Sequence, residues 1–327
     1  MTEEMFPGRS PAEFNFQEII YEKDGPVATV TLNRPEVYNA YNTLALKELI
    51  AAFTDAAWDD GIAVVIYTGA GDKAFSTGGD VKEYQGYYMK KPRDYYKYMG
   101  LFRAYLECLI NLGKPSIARI NGMAVGGGNE SQMACDLAVM ADDTFISQIG
   151  TNVGSVACGG ATQWLPIIVG DRRAREILLL NQRVPARQAL DWGLVNRIAP
   201  REKLDETVHD MVELLLDKFY ECTRYTRTQL NFWKELSWHQ TIGHARDWLT
   251  THFTSAEPGE GMRAFVQKRK VDYRGLRRKM AEGVRTEFPW GSYSAVCPAC
   301  GADGLPSEFA FCVRCGHAVP AEKPAAG

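Results

Sequence analysis

Phe75-Ser76-Thr77-Gly78-Gly79-Asp80 and, further along, Gly126-Gly127-Gly128-Asn129-Glu130 are the two stretches that decide how this chain folds. Each glycine cluster follows a β-branched run typical of a buried strand, over residues 63–68 and 116–120, and each precedes a helical pattern. The sequence therefore predicts bare backbone N–H groups at two strand ends, where glycine lets a ligand approach closely and a following helix favours negative charge. Two such donors, if they converge, would form an oxyanion hole for an enolate or a tetrahedral intermediate.

Strands and helices alternate around these stretches. Val27 to Leu32 and Val64 to Tyr67 are typical of buried strands, and Thr43 to Ala57 is typical of a helix. This alternation predicts an α/β fold. With 327 residues, of which 46% are hydrophobic, the chain is long enough to bury a full core and to form more than one domain.

Charge and the N-terminal composition restrict the partners and the compartment. The formal net charge is −3 and the pI is near 6.0, which gives no general attraction to nucleic acid or to an anionic membrane. Residues 1–14 lack the long apolar run of a signal peptide, and no segment has the length of a membrane span. The sequence predicts a cytoplasmic protein that binds neither nucleic acid nor membrane.

Four of the eight cysteines form two C-x-x-C pairs near the C-terminus, Cys297 with Cys300 and Cys312 with Cys315. In a cytoplasmic chain, four thiolates at this spacing are better zinc ligands than disulfide partners. Four sulfur ligands close the coordination shell, so we expect a structural zinc ion rather than a catalytic one.

The same region predicts the domain boundaries. We expect a first domain over residues 1–284, a linker over 285–294, a zinc ribbon over 295–319 and a disordered tail over 320–327. Two aromatic residues of the ribbon, Phe309 and Phe311, indicate a protein contact, either with another subunit or with a separate partner.

Several motifs in order resemble one enzyme family. Together with the two glycine stretches they are Asn33-Arg34-Pro35-Glu36, Asn39-Ala40-Tyr41-Asn42, Lys114-Pro115, Cys135-Asp136 and Gln188 to Val195. Over about Phe16 to Arg277 this pattern is similar to the crotonase, or enoyl-CoA hydratase/isomerase, superfamily. The resemblance implies a ββα superhelix, C-terminal helices from about Arg201, a trimer or hexamer, and coenzyme A as part of the substrate.

The resemblance also implies roles for individual residues. Gly79 and Gly127 would supply the two oxyanion N–H groups, and Glu130 would be the general base or acid. Alternatively, Glu130 satisfies an early helical turn as an N-terminal carboxylate. The second glutamate of the hydratases would fall at Gly150, which has no side chain, so the paired carboxylates of simple hydration are missing.

One branch of the superfamily resembles this chain more than the others do. Residues 148–155 resemble the branch that handles ring-bearing CoA esters. Residues 77–84, with Lys91-Pro92 and Tyr98-Met99, are similar to the ring-cleaving 6-oxocyclohex-1-ene-1-carbonyl-CoA hydrolases of anaerobic aromatic degradation. Residues 261–273 resemble a segment that helps to close the active site in the related dihydroxynaphthoyl-CoA synthases and ketocyclohexanecarboxyl-CoA hydrolases.

The chain departs from those branches at two places. They carry an aspartate where this chain has Ala157 and Cys158, and the synthases carry a tyrosine where it has Phe253. The second departure disfavours dihydroxynaphthoyl-CoA synthesis. Cys158 is either a small buried hydrophobe or an active group that, like Ser155, polarises an oxo group of the substrate.

Coenzyme A recognition is implied by the resemblance at four positions: the backbone of Asn39 and Ala40, and the side chains of Lys73 and Lys270. Each lysine could equally be a solvated surface residue. The tyrosines between Tyr84 and Tyr98 either line the acyl pocket or pack between helices.

Three functions follow as alternatives. The first is water addition to a cyclic oxo-enoyl-CoA, hydrolytic opening of its ring, or both. The second is an ordinary enoyl-CoA hydratase or isomerase. The third is a non-catalytic crotonase scaffold whose zinc ribbon binds a partner protein.

Overall fold

The computed structural model describes residues 8–283, 295–307 and 309–319. In these residues ten strands form two sheets. The strands are β1 (Ile19–Asp24), β2 (Val27–Leu32), β3 (Val64–Gly69), β4 (Ala74–Ser76), β5 (Ser116–Ile120), β6 (Met123–Val125), β7 (Leu137–Ala141), β8 (Phe145–Ser147), β9 (Val184–Pro185) and β10 (Arg197–Ala199).

The larger sheet has the order β1-β2-β3-β5-β7-β10 and the smaller one the order β4-β6-β8-β9. In the larger sheet, β1 and β2 form an antiparallel hairpin and the remaining pairs are parallel. In the smaller sheet, β4, β6 and β8 are parallel and β9 is antiparallel to β8. Three times the chain forms one strand in each sheet and then a helix, which is the expected ββα superhelix.

Twelve α-helices surround and follow the sheets in the described residues. They are α1 (Thr43–Trp58), α2 (Val81–Gly86), α3 (Pro92–Ile110), α4 (Gly127–Ala134), α5 (Ala161–Val169), α6 (Asp171–Leu180), α7 (Ala186–Asp191), α8 (Leu204–Leu216), α9 (Tyr220–Leu230), α10 (Phe232–His252), α11 (Ala256–Val266) and α12 (Tyr273–Ala281). Helix α1 matches its predicted span, and the Asn42 side chain caps it by accepting from the Ala45 N–H. The helices from α8 onward form the expected C-terminal helical region.

The position of the glycine clusters differs from the sequence prediction in one respect. They directly follow the short strands β4 and β6 of the smaller sheet, not the long runs 63–68 and 116–120. The chain first crosses between sheets, and the Asn121 amide holds this crossing by donating to the carbonyls of Gly69 and Gly71. Both clusters therefore lie at the same edge of the smaller sheet, because β4 and β6 are parallel neighbours.

Residues 295–307 and 309–319 form a small module with its own core of Ala295, Cys297, Leu305, Cys312 and Val319. The module contains two isolated antiparallel β-bridges, one between Ala295 and Leu305 and one between Phe311 and Ala318. Phe311 is exposed as expected, whereas Phe309 is partly buried. The predicted linker 285–294 and tail 320–327 lie outside the described residues. In the described part of the chain, no helix is both long and apolar enough to cross a membrane.

Candidate active site

The two glycine segments touch each other at the ends of β4 and β6. A Cβ atom on Gly78 would lie 2.6 Å from the Gly127 nitrogen, so no side chain fits between the segments. Gly78 also has φ +84°, and Gly126, which precedes α4, has φ +56°. Both backbone conformations favour glycine, which explains why the sequence needs glycines here.

The amide N–H groups of Gly79 and Gly127 are left free by this arrangement. The neighbouring groups pair around them: the Tyr41 N–H donates to the Gly78 carbonyl (2.9 Å) and the Asp80 N–H to the Tyr41 carbonyl (3.0 Å). Within the described residues, neither glycine N–H has a hydrogen-bond acceptor, and both glycines line one cavity. Gly127 is also the first residue of α4, where the helix dipole favours negative charge.

Glu130 lies in the first turn of α4 and faces the same cavity. It is buried, and its Oε1 accepts hydrogen bonds from the N–H groups of Gly159 (2.8 Å) and Ala161 (3.3 Å). Burial raises the pKa of Glu130 to about 7, although the two N–H donors favour the ionised form. A carboxyl group with this pKa can both take and return a proton near neutral pH.

The cavity has a volume of about 100 Å³. Among the described residues that line it, Glu130 is the one carboxylic acid, and no lysine, arginine or histidine is present. Gly150 and Ala157 also line it, so two positions at which the family resemblance implied carboxylates face the cavity without one. The other lining residues include Tyr41, Tyr84, Tyr95, Met99, Phe102, Val153, Ser155, Val156, Cys158, Leu249 and Met262.

Ser155 and Cys158 both line the cavity. Cys158 is buried, and burial followed by the charge of Glu130 raises the pKa of its thiol well above the usual value. The thiol is therefore neutral near pH 7, which makes it a weak donor rather than a nucleophile. Both interpretations of Cys158, as packing or as a polarising group, remain compatible with this position.

An aromatic cluster forms one wall. Tyr84 and Tyr95 line the cavity, and Tyr88, Tyr98 and Phe253 pack behind them, so the tyrosines of this stretch both line the pocket and pack between helices. Phe253 stacks on Tyr95 with ring centroids 3.8 Å apart. Tyr41 was not among the predicted site residues. Its hydroxyl oxygen lies 1.7 Å from the position that a Cβ on Gly127 would take. Its only sequence signal was its place inside the motif Asn39 to Asn42.

The C-terminal helices cover the cavity from the same chain. Leu249 of α10 and Met262 of α11 line it. Helix α11 fits closely against the loop after β8, because a Cβ on Gly261 would lie 2.3 Å from the Val153 carbonyl carbon. Glu260 of α11 forms a two-pronged ion pair with Arg269, which follows the helix (2.5 and 2.7 Å). The expected closing segment, residues 261–273, thus begins inside the site.

A separate groove of about 340 Å³ contains two of the four predicted coenzyme A residues, Asn39 and Lys73. The Asn39 side chain is fully buried and donates to the carbonyls of Ala70 and Ala74, so it shapes the groove rather than reaching out of it. Ala40 is the next residue and is buried. Lys73 is exposed at the edge of the groove. Lys270 is exposed after α11 and lines neither the groove nor the cavity.

The four predicted cysteine ligands converge in the small module. The Sγ atoms of Cys297, Cys300, Cys312 and Cys315 all lie within 4.8 Å of one another. Two of the separations are 3.6 and 3.8 Å. These match the edge of about 3.8 Å expected for a sulfur tetrahedron with metal–sulfur bonds of about 2.3 Å. The Arg314 N–H also points at the Cys312 sulfur (3.4 Å), as an amide near a metal thiolate does. The donor set therefore fits a tetrahedral zinc ion.

Solved structures of similar fold include enoyl-CoA hydratases. One from Mycobacterium avium subsp. paratuberculosis K-10 has a TM-score of 0.71 at 25% identity and covers 79% of this chain and 98% of that one. An enoyl-CoA hydratase/isomerase from Xanthobacter autotrophicus Py2 has a TM-score of 0.70 at 28% identity, covering 82% of this chain and 97% of that one.

Sequence comparison agrees with the fold. A protein of Geobacter metallireducens named 6-oxocyclohex-1-ene-1-carbonyl-CoA hydrolase is 31% identical over 318 residues, covering 80% of this chain and 82% of the relative. The enoyl-CoA hydratase/isomerase family model matches residues 22–277, which end before the cysteine module. This span contains the glycine segments, Glu130 and the helices that cover the cavity, so the chain is an enzyme that belongs to the crotonase, or enoyl-CoA hydratase/isomerase, superfamily.

Proposed function

We propose that this enzyme adds water to a cyclic oxo-enoyl-CoA thioester and then opens the ring by hydrolysis. The observation that supports it most is the pairing of two free N–H groups with a single carboxylic acid, Glu130, in a small cavity that has glycine at position 150. The 31% identical relative is named for this type of substrate.

In the first step, the thioester oxygen would accept hydrogen bonds from the N–H groups of Gly79 and Gly127. Glu130 would take a proton from water as the water oxygen bonds to the β-carbon, and the electron pair of the double bond would move into the thioester as an enolate. Return of the proton from Glu130 to the α-carbon completes the addition.

In the second step, Glu130 would activate another water molecule, whose oxygen bonds to the ring carbon that bears the oxo group. The bond between that carbon and the α-carbon then breaks, and its electron pair moves into the thioester enolate at the same two N–H groups. Glu130 returns its proton to the α-carbon, and the former oxo carbon becomes a carboxylic acid at the end of the opened chain, which ionises by releasing a proton to solvent. One acid/base group serves both steps because each step returns the proton that it removed.

The cavity size also favours a compact acyl group. Its volume of about 100 Å³ is of the order that holds one six-membered ring, since an engineered cavity of about 150 Å³ binds benzene. We assign the nucleotide part of coenzyme A to the groove that contains Asn39 and Lys73, next to the backbone of Ala40. Lys270 is a further candidate for the phosphates.

For the cysteine module we propose a zinc ribbon, in which Cys297, Cys300, Cys312 and Cys315 hold one ion. The metal would supply folding energy and no chemistry, because four thiolates leave no open position. A homo-oligomer and a protein contact through the module are further parts of the proposal, the first from the family and the second from the exposed Phe311.

An ordinary enoyl-CoA hydratase is the second candidate, favoured by the names of the similar solved structures. The missing carboxylate at Gly150 argues against it. An assay with three substrates distinguishes the two candidate functions. The protein is incubated separately with 6-oxocyclohex-1-ene-1-carbonyl-CoA, cyclohex-1-ene-1-carbonyl-CoA and crotonyl-CoA, and the masses of the products are measured.

The proposal expects a product from the oxo-ring ester that has gained the mass of two water molecules, and none with the Glu130→Gln variant. Turnover of crotonyl-CoA alone would overturn it in favour of the ordinary hydratase. A product that gains one water from the oxo-ring ester would retain the substrate class and remove the ring-opening step.

A further inference from the structure

Tyr84 places its hydroxyl directly against the first glycine donor. A Cβ on Gly79 would lie 1.7 Å from the Tyr84 oxygen, so the phenol occupies the space in which any other residue at 79 would hold its side chain. Tyr84 and Gly79 both line the cavity. The mechanism proposed above leaves this hydroxyl without a role.

The hydrogen of the Tyr84 hydroxyl is available to a ligand because of Tyr98. The two hydroxyl oxygens are 2.9 Å apart. Tyr98 is 2% exposed, and in the described part of the chain Tyr84 is the one hydrogen-bond partner of its hydroxyl. A buried hydroxyl must use its hydrogen, so Tyr98 donates to Tyr84. Tyr84 then has its own hydrogen left for the cavity, and the bond that it accepts strengthens the one that it can donate.

The surrounding rings fix the direction of this hydroxyl. Edge-to-face contacts hold the Tyr84 ring against Tyr95, Tyr98 and Phe253, with centroids 5.9, 5.3 and 5.9 Å away. Burial raises the pKa of Tyr84 well above its usual value, so the group is a neutral donor throughout the physiological range. Such a donor needs no reorganisation when a substrate arrives.

We propose that the Tyr84 hydroxyl donates a hydrogen bond to the ring oxo group of the substrate and thereby selects oxo-ring thioesters. This inference rests on the proposed function. The carbon that bears the oxo group and the thioester carbon are both bonded to the α-carbon. When the thioester oxygen lies at the N–H groups of Gly79 and Gly127, the oxo oxygen is therefore only a few bonds away, on the side of one of these glycines.

The hydrogen bond would act during ring opening. Addition of the water oxygen turns the oxo oxygen into an alkoxide, which the phenol stabilises without giving up its proton. Collapse of the alkoxide breaks the bond to the α-carbon and regenerates a carbonyl, now that of the carboxylic acid. Simple water addition to a ring without the oxo group does not use Tyr84.

The test compares two substrates with the Tyr84→Phe variant: 6-oxocyclohex-1-ene-1-carbonyl-CoA and the same ester without the oxo group. We expect kcat for ring opening to fall by about a hundredfold, the scale of one lost oxyanion donor, while water addition to the second ester stays within about twofold. Tyr98→Phe should give a smaller loss with the same selectivity, because the hydrogen of the Tyr84 hydroxyl is then no longer directed towards the cavity. Tyr88→Phe is the matched control, since its hydroxyl bonds Thr43 outside the cavity.

Equal losses with both esters would show that Tyr84 only shapes the cavity and would overturn the inference while the proposed function stands. The same holds if Tyr41→Phe, beside Gly127, shows the selective loss and Tyr84→Phe does not. If thermal unfolding shows that Tyr84→Phe is not folded, the same comparison of rates with the two esters is made with Tyr98→Phe and decides the question. Wild-type protein that leaves the oxo-ring ester unchanged would overturn the proposed function itself, before any variant is made.

Discussion

At the scale of single residues, Glu130 shows how a short motif can be recognised while its chemistry is not. Its spacing from Gly127 was readable in the sequence. Its two N–H partners, Gly159 and Ala161, lie far along the chain, and its burial comes from packing by α3 and α5, so the raised pKa had no sequence signal. The sequence likewise carries no signal for the role of the Tyr84 hydroxyl, because that role depends on the hydrogen bond that it accepts from Tyr98.

We predict that the pH dependence of kcat/KM follows Glu130. A general base must be ionised, so kcat/KM should rise with pH and level off above the pKa of about 7. Glu130→Gln keeps the hydrogen bonds from Gly159 and Ala161 but removes the base, and the rate should fall by at least about a hundredfold. A Gln variant with an unchanged pH–rate profile would assign the base elsewhere.

The same substitution should stabilise the folded protein at alkaline pH. Because the folded pKa lies above the unfolded one, the contribution of Glu130 to wild-type stability is greatest below about pH 4.5 and falls as pH rises to about 7. Glu130→Gln removes this loss, which is at most about 3.5 kcal/mol for a rise from 4.5 to about 7 at about 1.4 kcal/mol per pKa unit. Thermal unfolding at about pH 4 and about pH 8 measures it. An equal Tm difference at both pH values would contradict the raised pKa.

At the scale of secondary-structure elements, the long strands and α1 were predictable because their apolar patterns extend over many residues. The short strands β4, β6 and β8 were not, since three residues carry no periodicity. These strands nevertheless place both glycine segments at one sheet edge. The sequence therefore singled out these glycines as candidates, and only the structure shows the second sheet that brings them together.

We predict that Gly78→Ala separates the two segments. Its Cβ would lie 2.6 Å from the Gly127 nitrogen, and a shift of about an ångström in a donor costs about a hundredfold in rate. Gly25→Ala is the matched control: Gly25 also has positive φ, +52°, but its Cβ would meet no atom within 4 Å. Both variants should lose about 1 kcal/mol through backbone strain, and only Gly78→Ala should lose turnover. Equal turnover would show that the contact between the segments does not position the donors.

At the scale of the whole molecule, the cysteine cluster was the most readable part, because four cysteines at fixed spacing predict a metal site without any tertiary prediction. Its sulfurs converge as expected. The superhelix could not be derived from periodicity and came from family resemblance alone. The closing of the cavity by α10 and α11 was predictable only for the segment that resembled a known family feature.

We predict one zinc ion per chain, measured by elemental analysis of freshly purified protein. Cys297→Ser should remove most of it, whereas Cys222→Ser, an exposed cysteine outside the cluster, should not. Truncation after residue 283 should leave a folded body with its turnover intact, since the residues that line the cavity all precede that point. If the truncated chain unfolds, the module is required for the stability of the folded enzyme and this prediction is wrong.

The closing of the cavity by helices of its own chain has a genetic consequence. Leu249 and Met262 line the same cavity as Glu130 of their own chain, so this part of the cavity wall and the acid belong to one chain. In an oligomer that contains both kinds of chain, a Glu130→Gln chain could not supply its intact α11 to the cavity of a chain whose own α11 is damaged. Co-expression of two such defective alleles should therefore give no complementation, and a defective allele beside a normal one should behave as recessive.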